Sequence, residues 1–370
     1  MELEMFELGK WFYRVMEQAT LEINLTEPGL LGIKIGDVTK DLDLNLSMDP
    51  TFDSPRILKE EIIEAYKYKN VDADNICVTN GAQEANFIST MLLVEPRDEV
   101  VMLIPTWEQV YKVAEGLEAN VKECRLNEKR GWKPDLEELK EVVSPKTKLI
   151  YICYPNNPTG AVLNAGEMRG ICEIAEDCGA YILSDETYSG VVWDGPPSPS
   201  AVDYYEKAIA TCTLSKTMGL TGLRVGWVIS QDKRLIEKCK TFRVYTTLQN
   251  NNFGEYLATI ALRRDKRQEL LSIARRRAKA NLELLSRWIS EQEAFSWTPP
   301  RATFCCFPRY DFEIPSSEFC ERLLLKERIF VAPGICFKFD KHLRIGFGIE
   351  TDKFRQGLER LSRFVEILKK

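Results

Sequence analysis

The sequence predicts an α/β protein, with a large domain holding a mostly parallel sheet between helices and a smaller α+β domain beside it. Three observations predict it. From about residue 75 to 230, short β-rich runs alternate with helical stretches, the pattern of strands joined by crossover helices. Beyond residue 245 the texture changes to a long amphipathic helix followed by scattered short strands. Polar residues and glycines gather directly after the β-rich runs, where open parallel sheets hold their ligands.

The N-terminal stretch carries Leu8, Trp11, Phe12, Val15 and Met16 at helical spacing beside acidic residues. It reads as a helix packed on its own protein, since membrane-surface helices are usually basic. It shows no basic segment followed by an apolar one, so it does not read as a secretory signal. The strands expected in the alternating block are Ile76–Thr79, Val100–Ile104, Leu149–Cys153, Tyr181–Ser184, Ile209–Leu214 and Val225–Ser230. Further on, Leu271, Ala274, Ala278, Leu282, Leu285 and Ile289 recur at steps of three and four, a long helix. Its outer face is expected to carry Arg263, Arg264, Arg275, Arg276, Arg277 and Lys279. Interleaved acids and the lack of an aromatic platform argue against a nucleic-acid stripe. Strands near Thr303–Phe307, Ile329–Val331 and Leu343–Ile349 and a closing helix complete the smaller domain. The expected division is 51–245 for the large domain and 1–50 with 246–370 for the small one.

With 370 residues the chain is long enough to bury a large core, and 44% apolar with 29% charged content is an ordinary globular balance. A net charge of -6 gives no general attraction to nucleic acid or to an anionic membrane. No run approaches the roughly 18 apolar residues of a membrane span. The eleven cysteines are scattered and include no C-x-x-C, which reads as reduced core thiols in a cytoplasmic protein, the adjacent Cys305 and Cys306 included. The single histidine, His342, excludes a site built on several histidines and suits a structural role beside the strand that follows it. No metal site is expected.

Two residues give the chain its chemistry. Lys216, in "TLSKTMGLTGLRVGW", follows the apolar run that ends at Leu214. Asp185, in "YILSDETYSGVVW", ends the run from Tyr181. A lysine that forms a Schiff base, with a carboxylate to hold a pyridinium nitrogen, is the pair a pyridoxal-phosphate (PLP) enzyme needs. Other strand ends agree. After Ile76–Thr79, Gly81 opens a turn into a helix, and the N–H groups of Gly81, Ala82 and Gln83 suit a phosphate; a plain helix cap has the same wording. After Val100–Ile104 comes Trp107, a flat ring suited either to stacking on a cofactor or to the core. After Leu149–Cys153, "YPNNPTG" makes a rigid turn that presents Asn157. Tyr188 follows Asp185 by three residues, and Thr213, Ser215 and Arg224 surround Lys216 in sequence. No G-x-G-x-x-G follows a strand and no G-x-x-x-x-G-K-[ST] occurs, which disfavours a nicotinamide or flavin Rossmann site and a P-loop.

Taken together, "NNPTG", "SDETY" and "TLSKTMGLTGLRVGW", in that order, resemble the fold-type I PLP enzymes of the aspartate aminotransferase superfamily. The resemblance runs from about Asn75 to Gly348. It implies the seven-stranded-type sheet of that fold, PLP as cofactor, a homodimer, and transfer of an amino group from an α-amino acid to a 2-oxo acid. By position, Lys216 is similar to the lysine that forms the Schiff base, and Asp185 to the partner of the ring nitrogen. Tyr188 and Asn157 are similar to the residues that bond the ring hydroxyl, and Trp107 to the aromatic stacked on the ring. Gly81, Ala82, Gln83, Thr213, Ser215 and Arg224 match the phosphate cradle. Arg344, in "HLRIGFG", matches the arginine that grips the substrate α-carboxylate as a bidentate fork. In such an enzyme a carboxylate about 4 Å from the ring nitrogen, at an effective dielectric near 20, is worth roughly 4 kcal/mol. That is about three pKa units, enough to keep the nitrogen protonated at neutral pH.

Two departures stand out. The family's tyrosine that reaches a neighbouring subunit's phosphate has no counterpart in "LSMDPTFDSPRILKEEI", so another residue makes that contact or it is absent. The segment "INLTEPGLLG" also differs from the commoner substrate-covering one. The same scaffold supports C–S or β-elimination and cyclisation, and "TNGAQEANF", "NPTGAVL" and "LRIGFG" are also similar to a subgroup related to capreomycidine synthase, a PLP-dependent cyclase. A PLP-binding regulatory protein is a third reading, disfavoured by the short acidic N-terminus. Arg243, Tyr245, Arg301 and Arg309 face either the substrate or solvent on this reading.

Overall fold

The computed structural model describes residues 2–17, 20–45, 47, 51–193 and 195–369. Before the central sheet lie α1 (Glu7–Met16), a two-residue strand β1 (Ile23–Asn24), α2 (Ile35–Val38) and α3 (Arg56–Tyr66). Of the tyrosine-free stretch ahead of α3, residues 46 and 48–50 lie outside the described residues.

Seven strands then form one sheet: β2 (Ile76–Thr79), β3 (Glu99–Ile104), β4 (Asn120–Arg125), β5 (Thr147–Cys153), β6 (Tyr181–Asp185), β7 (Ala208–Thr213) and β8 (Gly226–Ser230). Their order across the sheet is β2-β8-β7-β6-β5-β3-β4. All pairs are parallel except those made by β8, which runs antiparallel to both β2 and β7. Strands covered on both faces read as near-continuous apolar runs, as Val100–Ile104 of β3 and Leu149–Cys153 of β5 do. Alternate side chains supply two cores. Val100, Met102, Leu149, Tyr151, Leu183 and Val228 face α4 (Ala82–Leu93), α5 (Gln109–Gly116) and α8 (Lys233–Thr246). Val101, Leu103, Ile150, Ile152 and Ile182 face the other way, with Ile171, Ile174 and Ala175 of α7 (Ala165–Cys178). A short α6 (Leu136–Val142) packs against α7. Asn164 caps α7 with a reciprocal Glu167 bond, and Gly179, at φ 74°, ends it.

After α8 come α9 (Asn252–Leu262) and the 27-residue α10 (Arg264–Ser290). Short strands β9 (Phe295–Ser296), β10 (Cys305–Cys306), β11 (Arg309–Tyr310), β12 (Ile329–Phe330), β13 (Ala332–Pro333) and β14 (Leu343–Gly346) follow, with α11 (Ser316–Glu327) and the closing α12 (Thr351–Leu368). They form three small sheets, β10-β14-β13, β11-β9 and β1-β12, so the N-terminal strand joins this C-terminal part.

The expected strands are present within a residue or two of their predicted ends, except that β14 stops at Gly346, three residues before the expected Ile349, and α10 buries Ala274, Ala278, Leu285 and Ile289 as its spacing requires. Two expectations are corrected. The seventh strand that the resemblance implies is β4, which is missing from the runs read off the sequence because "NVKECR" is a polar edge strand with one fully buried side chain, Cys124. Arg277 is not on the outer face of α10: its side chain is largely buried, bonds the carbonyl of Leu31 and pairs with Glu350. His342 is a packing residue, stacked on Phe307 with ring centroids 4.8 Å apart and its Nδ1 2.9 Å from the Asp340 carbonyl. All eleven cysteines are free thiols, and Cys178 alone is not buried. No helix among the described residues is long and apolar enough to cross a membrane.

Candidate active site

The carboxyl ends of β2, β5, β6 and β7 meet at a cavity of about 400 Å3. Lys216, Asp185, Tyr188, Ala82, Gln83, Trp107, Asn157, Thr213, Ser215, Arg224 and Arg344 all line it. Gly81 stands behind it as the cap of α4, with φ 83°, a conformation that side chains rarely adopt.

At one end of the constellation is an anion cradle. The first N–H groups of α4 have no acceptor within the helix. Arg224, itself at φ 54°, lays its guanidinium across the turn that starts α4: Nη2 donates to the Asn80 carbonyl at 3.1 Å, and Nη1 to Ser215 Oγ at 3.5 Å. A Cβ on Gly81 would run into that guanidinium, with Arg224 Cζ only 3.0 Å away. Thr213 Oγ1 and Ser215 Oγ lie 3.0 Å apart beside it. Two hydroxyls, a guanidinium and a helix N-terminus suit a phosphate.

At the end of β6 is Asp185, 4% exposed and held by three donors. Oδ2 accepts from Asn86 Nδ2 at 2.8 Å and from the Tyr151 hydroxyl at 3.3 Å, and Oδ1 accepts from the Thr187 N–H at 3.1 Å. Asn86 is fixed in turn by Thr211 Oγ1, which donates to its Oδ1 at 2.6 Å. Burial first, and then the charge of Asp185, holds the Tyr151 phenol well above its ordinary range, so it stays a neutral donor. A carboxylate offers about four lone-pair sites and three are filled, which leaves Oδ1 able to accept a cationic N–H.

A third cluster joins β14 to the turn after β5. Arg344 Nη1 donates to Asn157 Oδ1 at 3.1 Å and Nη2 to the Thr26 carbonyl at 2.8 Å, while its buried Nε has no partner. A buried guanidinium with donor capacity to spare suits a carboxylate. Burial pushes up the Tyr188 phenol and the neighbouring Cys153 and Cys305 thiols, which keeps all three neutral. Lys216, after β7, places Nζ 3.3 Å from Glu27 Oε2. Trp107 donates from Nε1 to Gln83 Oε1 at 3.2 Å and meets the edge of Phe6, with ring centroids 5.1 Å apart.

The sequence reading missed Asn86, Tyr151 and Thr211, and it missed Phe6, Phe12 and Glu27 as cavity wall. One signal was available for Asn86. The buried residues of α4 are Ala82, Ala85, Asn86, Ile88, Ser89, Thr90 and Leu93, so three polar side chains occupy inward positions that a simple packing helix would fill with apolar ones. The open question over four residues resolves away from the cavity, since none of them lines it. Arg243 is buried, bonding the carbonyls of Val78 and Phe52, and Tyr245 is 87% exposed. Arg309 pairs with Asp311 at 3.4 Å, and the Arg301 guanidinium lies beside Gly195.

Comparison with known proteins agrees with this arrangement. The family "Aminotransferase class I and II" matches residues 49–361. Capreomycidine synthase from Streptomyces vinaceus is 28% identical over 92% of this chain and 85% of its own length. A probable aspartate aminotransferase from Methanocaldococcus jannaschii is 31% identical over 76% of this chain and 75% of its own. The crystal structure of a PLP-dependent aminotransferase from Streptococcus suis 89-1591 superposes over all of both chains, with a TM-score of 0.91 and 31% identity. The chain belongs to the class I and II aminotransferase family, with the fold of the type I PLP enzymes, and it is a PLP-dependent aminotransferase.

Proposed function

We propose that this cavity binds pyridoxal phosphate and passes the amino group of an α-amino acid to a 2-oxo acid, with Lys216 as covalent anchor and proton carrier. The observation that carries the proposal is one cavity holding an amine, a triply bonded carboxylate and two separate arginine sites, Arg224 on Ser215 and Arg344 on Asn157. When bound, pyridoxal phosphate supplies an aldehyde for an amine and a ring that takes up the electron pair released at the substrate α-carbon. The protein does the rest. Arg224, Thr213, Ser215 and the start of α4, at Ala82 and Gln83, hold the phosphate, and Gly81 lets the guanidinium approach. Asp185 would hold a proton at the ring nitrogen, its carboxylate oriented by Asn86, Tyr151 and the Thr187 N–H. Asn157 and Tyr188 would bond the ring hydroxyl, and Trp107 would flank the ring. Arg344 binds the substrate α-carboxylate and so fixes which bond at the α-carbon faces Lys216. The Lys216 amine would serve as the base that takes the proton from that carbon and carries it.

The proposal includes the 51–245 and 1–50 plus 246–370 domains, supported by the central sheet drawing every strand from 76–230 and the small sheets from 23–24 and 295–346. It also includes a cytoplasmic homodimer, supported by the family and by the reduced thiols.

The test is Lys216→Ala. Adding PLP to the variant is expected to give no lysine-dependent visible absorption band, and turnover is expected to fall at least about a thousandfold. A band like that of the unmodified protein overturns the assignment. A second reading, cyclisation or elimination on the same residues, is favoured by the similarity to capreomycidine synthase. Formation of a keto acid that requires an amino-group acceptor supports transfer. Ammonia release, or a cyclic product, without an acceptor supports the second reading.

A further inference from the structure

Among the described residues, two acidic side chains line the cavity, Asp185 and Glu27, and only the first has a role in the reading above. Glu27 lies in the "INLTEPGLLG" segment, and its backbone neighbours are tied down on both sides. Arg344 bonds the Thr26 carbonyl at 2.8 Å, Gly346 N donates to the Leu25 carbonyl at 2.6 Å, and Leu30 N donates to the Lys216 carbonyl at 2.9 Å. Gly29 has no side chain because the Lys216 stem passes there: a Cβ would sit 2.8 Å from Lys216 Cδ. The segment is thus clamped between the arginine that suits the α-carboxylate and the lysine that serves the α-carbon. Glu27 lines the cavity from the middle of that clamp.

Among the described residues, the only ion pair of Glu27 is with Lys216, at 3.3 Å. An amine that serves the cofactor and the substrate α-carbon in turn would not hold that pair throughout, which leaves the carboxylate open to another cation. The remaining arginines of the cavity have other roles in the reading above, Arg224 in the anion cradle and Arg344 at the substrate α-carboxylate. Among the described residues, no further lysine or arginine lines the cavity to receive an acidic side chain. Phe6 and Phe12 offer a flanking surface on which a methylene stem and a cationic head both rest well. We propose that Glu27 determines specificity by pairing with a cationic substrate side chain, so that the amino donor is a diamino or guanidino acid and not an acidic one. This inference rests on the cavity being the amino-acid site.

The experiment compares kcat/KM of the PLP-loaded enzyme for 2,4-diaminobutyrate, ornithine, lysine and arginine with that for neutral norvaline and for glutamate. At least one cationic amino acid is expected to exceed norvaline about tenfold or more, the scale of one charge-assisted bond, and glutamate is expected to fall below both. Glu27→Gln is expected to bring the cationic-to-neutral ratio close to one. Glu27→Lys is expected to turn the preference toward glutamate. Calorimetry gives a readout without turnover: α-methylornithine, which has no α-proton to lose, is expected to bind Glu27→Gln about tenfold more weakly than the unmodified protein. A preference for norvaline or glutamate over every cation overturns the inference, as does a Glu27→Gln variant slowed equally on all substrates. If no amino acid changes the absorption of the loaded enzyme, the reading of the cavity itself fails, and this inference with it.

Discussion

The two walls of the cavity are built on opposite principles. On the central-sheet wall, Asp185, Asn157, Thr213 and Ser215 are 3–4% exposed, and each is held by bonds to neighbours that are themselves buried. The N-terminal wall is wetter: Tyr13 is 63% exposed and the Glu27 side chain 42%. Its helix α1 is fastened at few points, chiefly Trp11 stacked on Phe330 at 4.9 Å and the Glu7 N–H on Glu108. The difference teaches where rigidity is required. Charges that develop during a reaction need donors and acceptors fixed beforehand, while a side chain sliding past needs only shape and sign. The first wall should therefore govern rate, and the second affinity and choice.

The sharpest way to break this comparison is Asp185→Asn. The substitution keeps shape and cofactor binding but removes the charge that holds the ring proton. Turnover is expected to drop at least about a hundredfold, with the PLP dissociation constant changed little. Near-normal turnover would take rate control away from the sheet wall. Gly81→Ala comes next. It strains φ 83° and pushes a methyl into Arg224, so PLP is expected to bind at least about tenfold more weakly in a titration of the cofactor-free protein, while turnover at saturating PLP falls less.

The two walls also differed in how far they were legible. The residues of the sheet wall follow strands whose apolar runs are plain, and "SDETY", "NNPTG" and "TLSK" put particular side chains at strand ends. The N-terminal wall carries no such wording. Nothing local to Phe6, Phe12 or Glu27 says that their segment folds back across 180 residues or more to meet Lys216 and Arg344. Asn86 and Tyr151 are a third case: both sit in well-predicted elements, but their bonds to Asp185 exist only once α4 lies on β5 and β6. Arg243 shows the converse, a charged residue on a predictable helix whose burial under the carbonyls of Val78 and Phe52 depends on a distant loop.

Trp11→Ala sharpens the comparison from the other side. Removing the indole leaves α1 without its stacking partner, and the helix is expected to open locally while the sheet stays closed. Hydrogen exchange should speed up for amides in 7–16 and remain slow in β5 and β6, with KM rising a few-fold and kcat nearly constant. A fall in kcat as large as that of Asp185→Asn would erase the distinction between the walls.

The smallest effect on turnover is expected one residue from Asp185. Glu186 is 1% exposed, and its side chain turns away from the cavity: Oε1 accepts from Ser200 Oγ at 2.9 Å and from the Ala201 N–H at 3.1 Å. Burial pushes its carboxyl up to about 8, from an ordinary 4.5. Between those two values the folded protein keeps a proton that the unfolded chain has lost. Its share of the stability is therefore whole below about pH 4.5 and is lost as pH rises, by at most about 1.4 kcal/mol per pH unit, until the slope vanishes above about 8. Glu186→Gln keeps the acceptor oxygen and removes the titration. Its Tm should gain on that of the unmodified protein from pH 5 to pH 8, with turnover unchanged. A Tm difference that stays constant across this range would mean that Glu186 is ionised in the folded state. In that case two neighbouring carboxylates would both carry charge at the end of β6, and the fixed charge of the sheet wall would no longer belong to Asp185 alone.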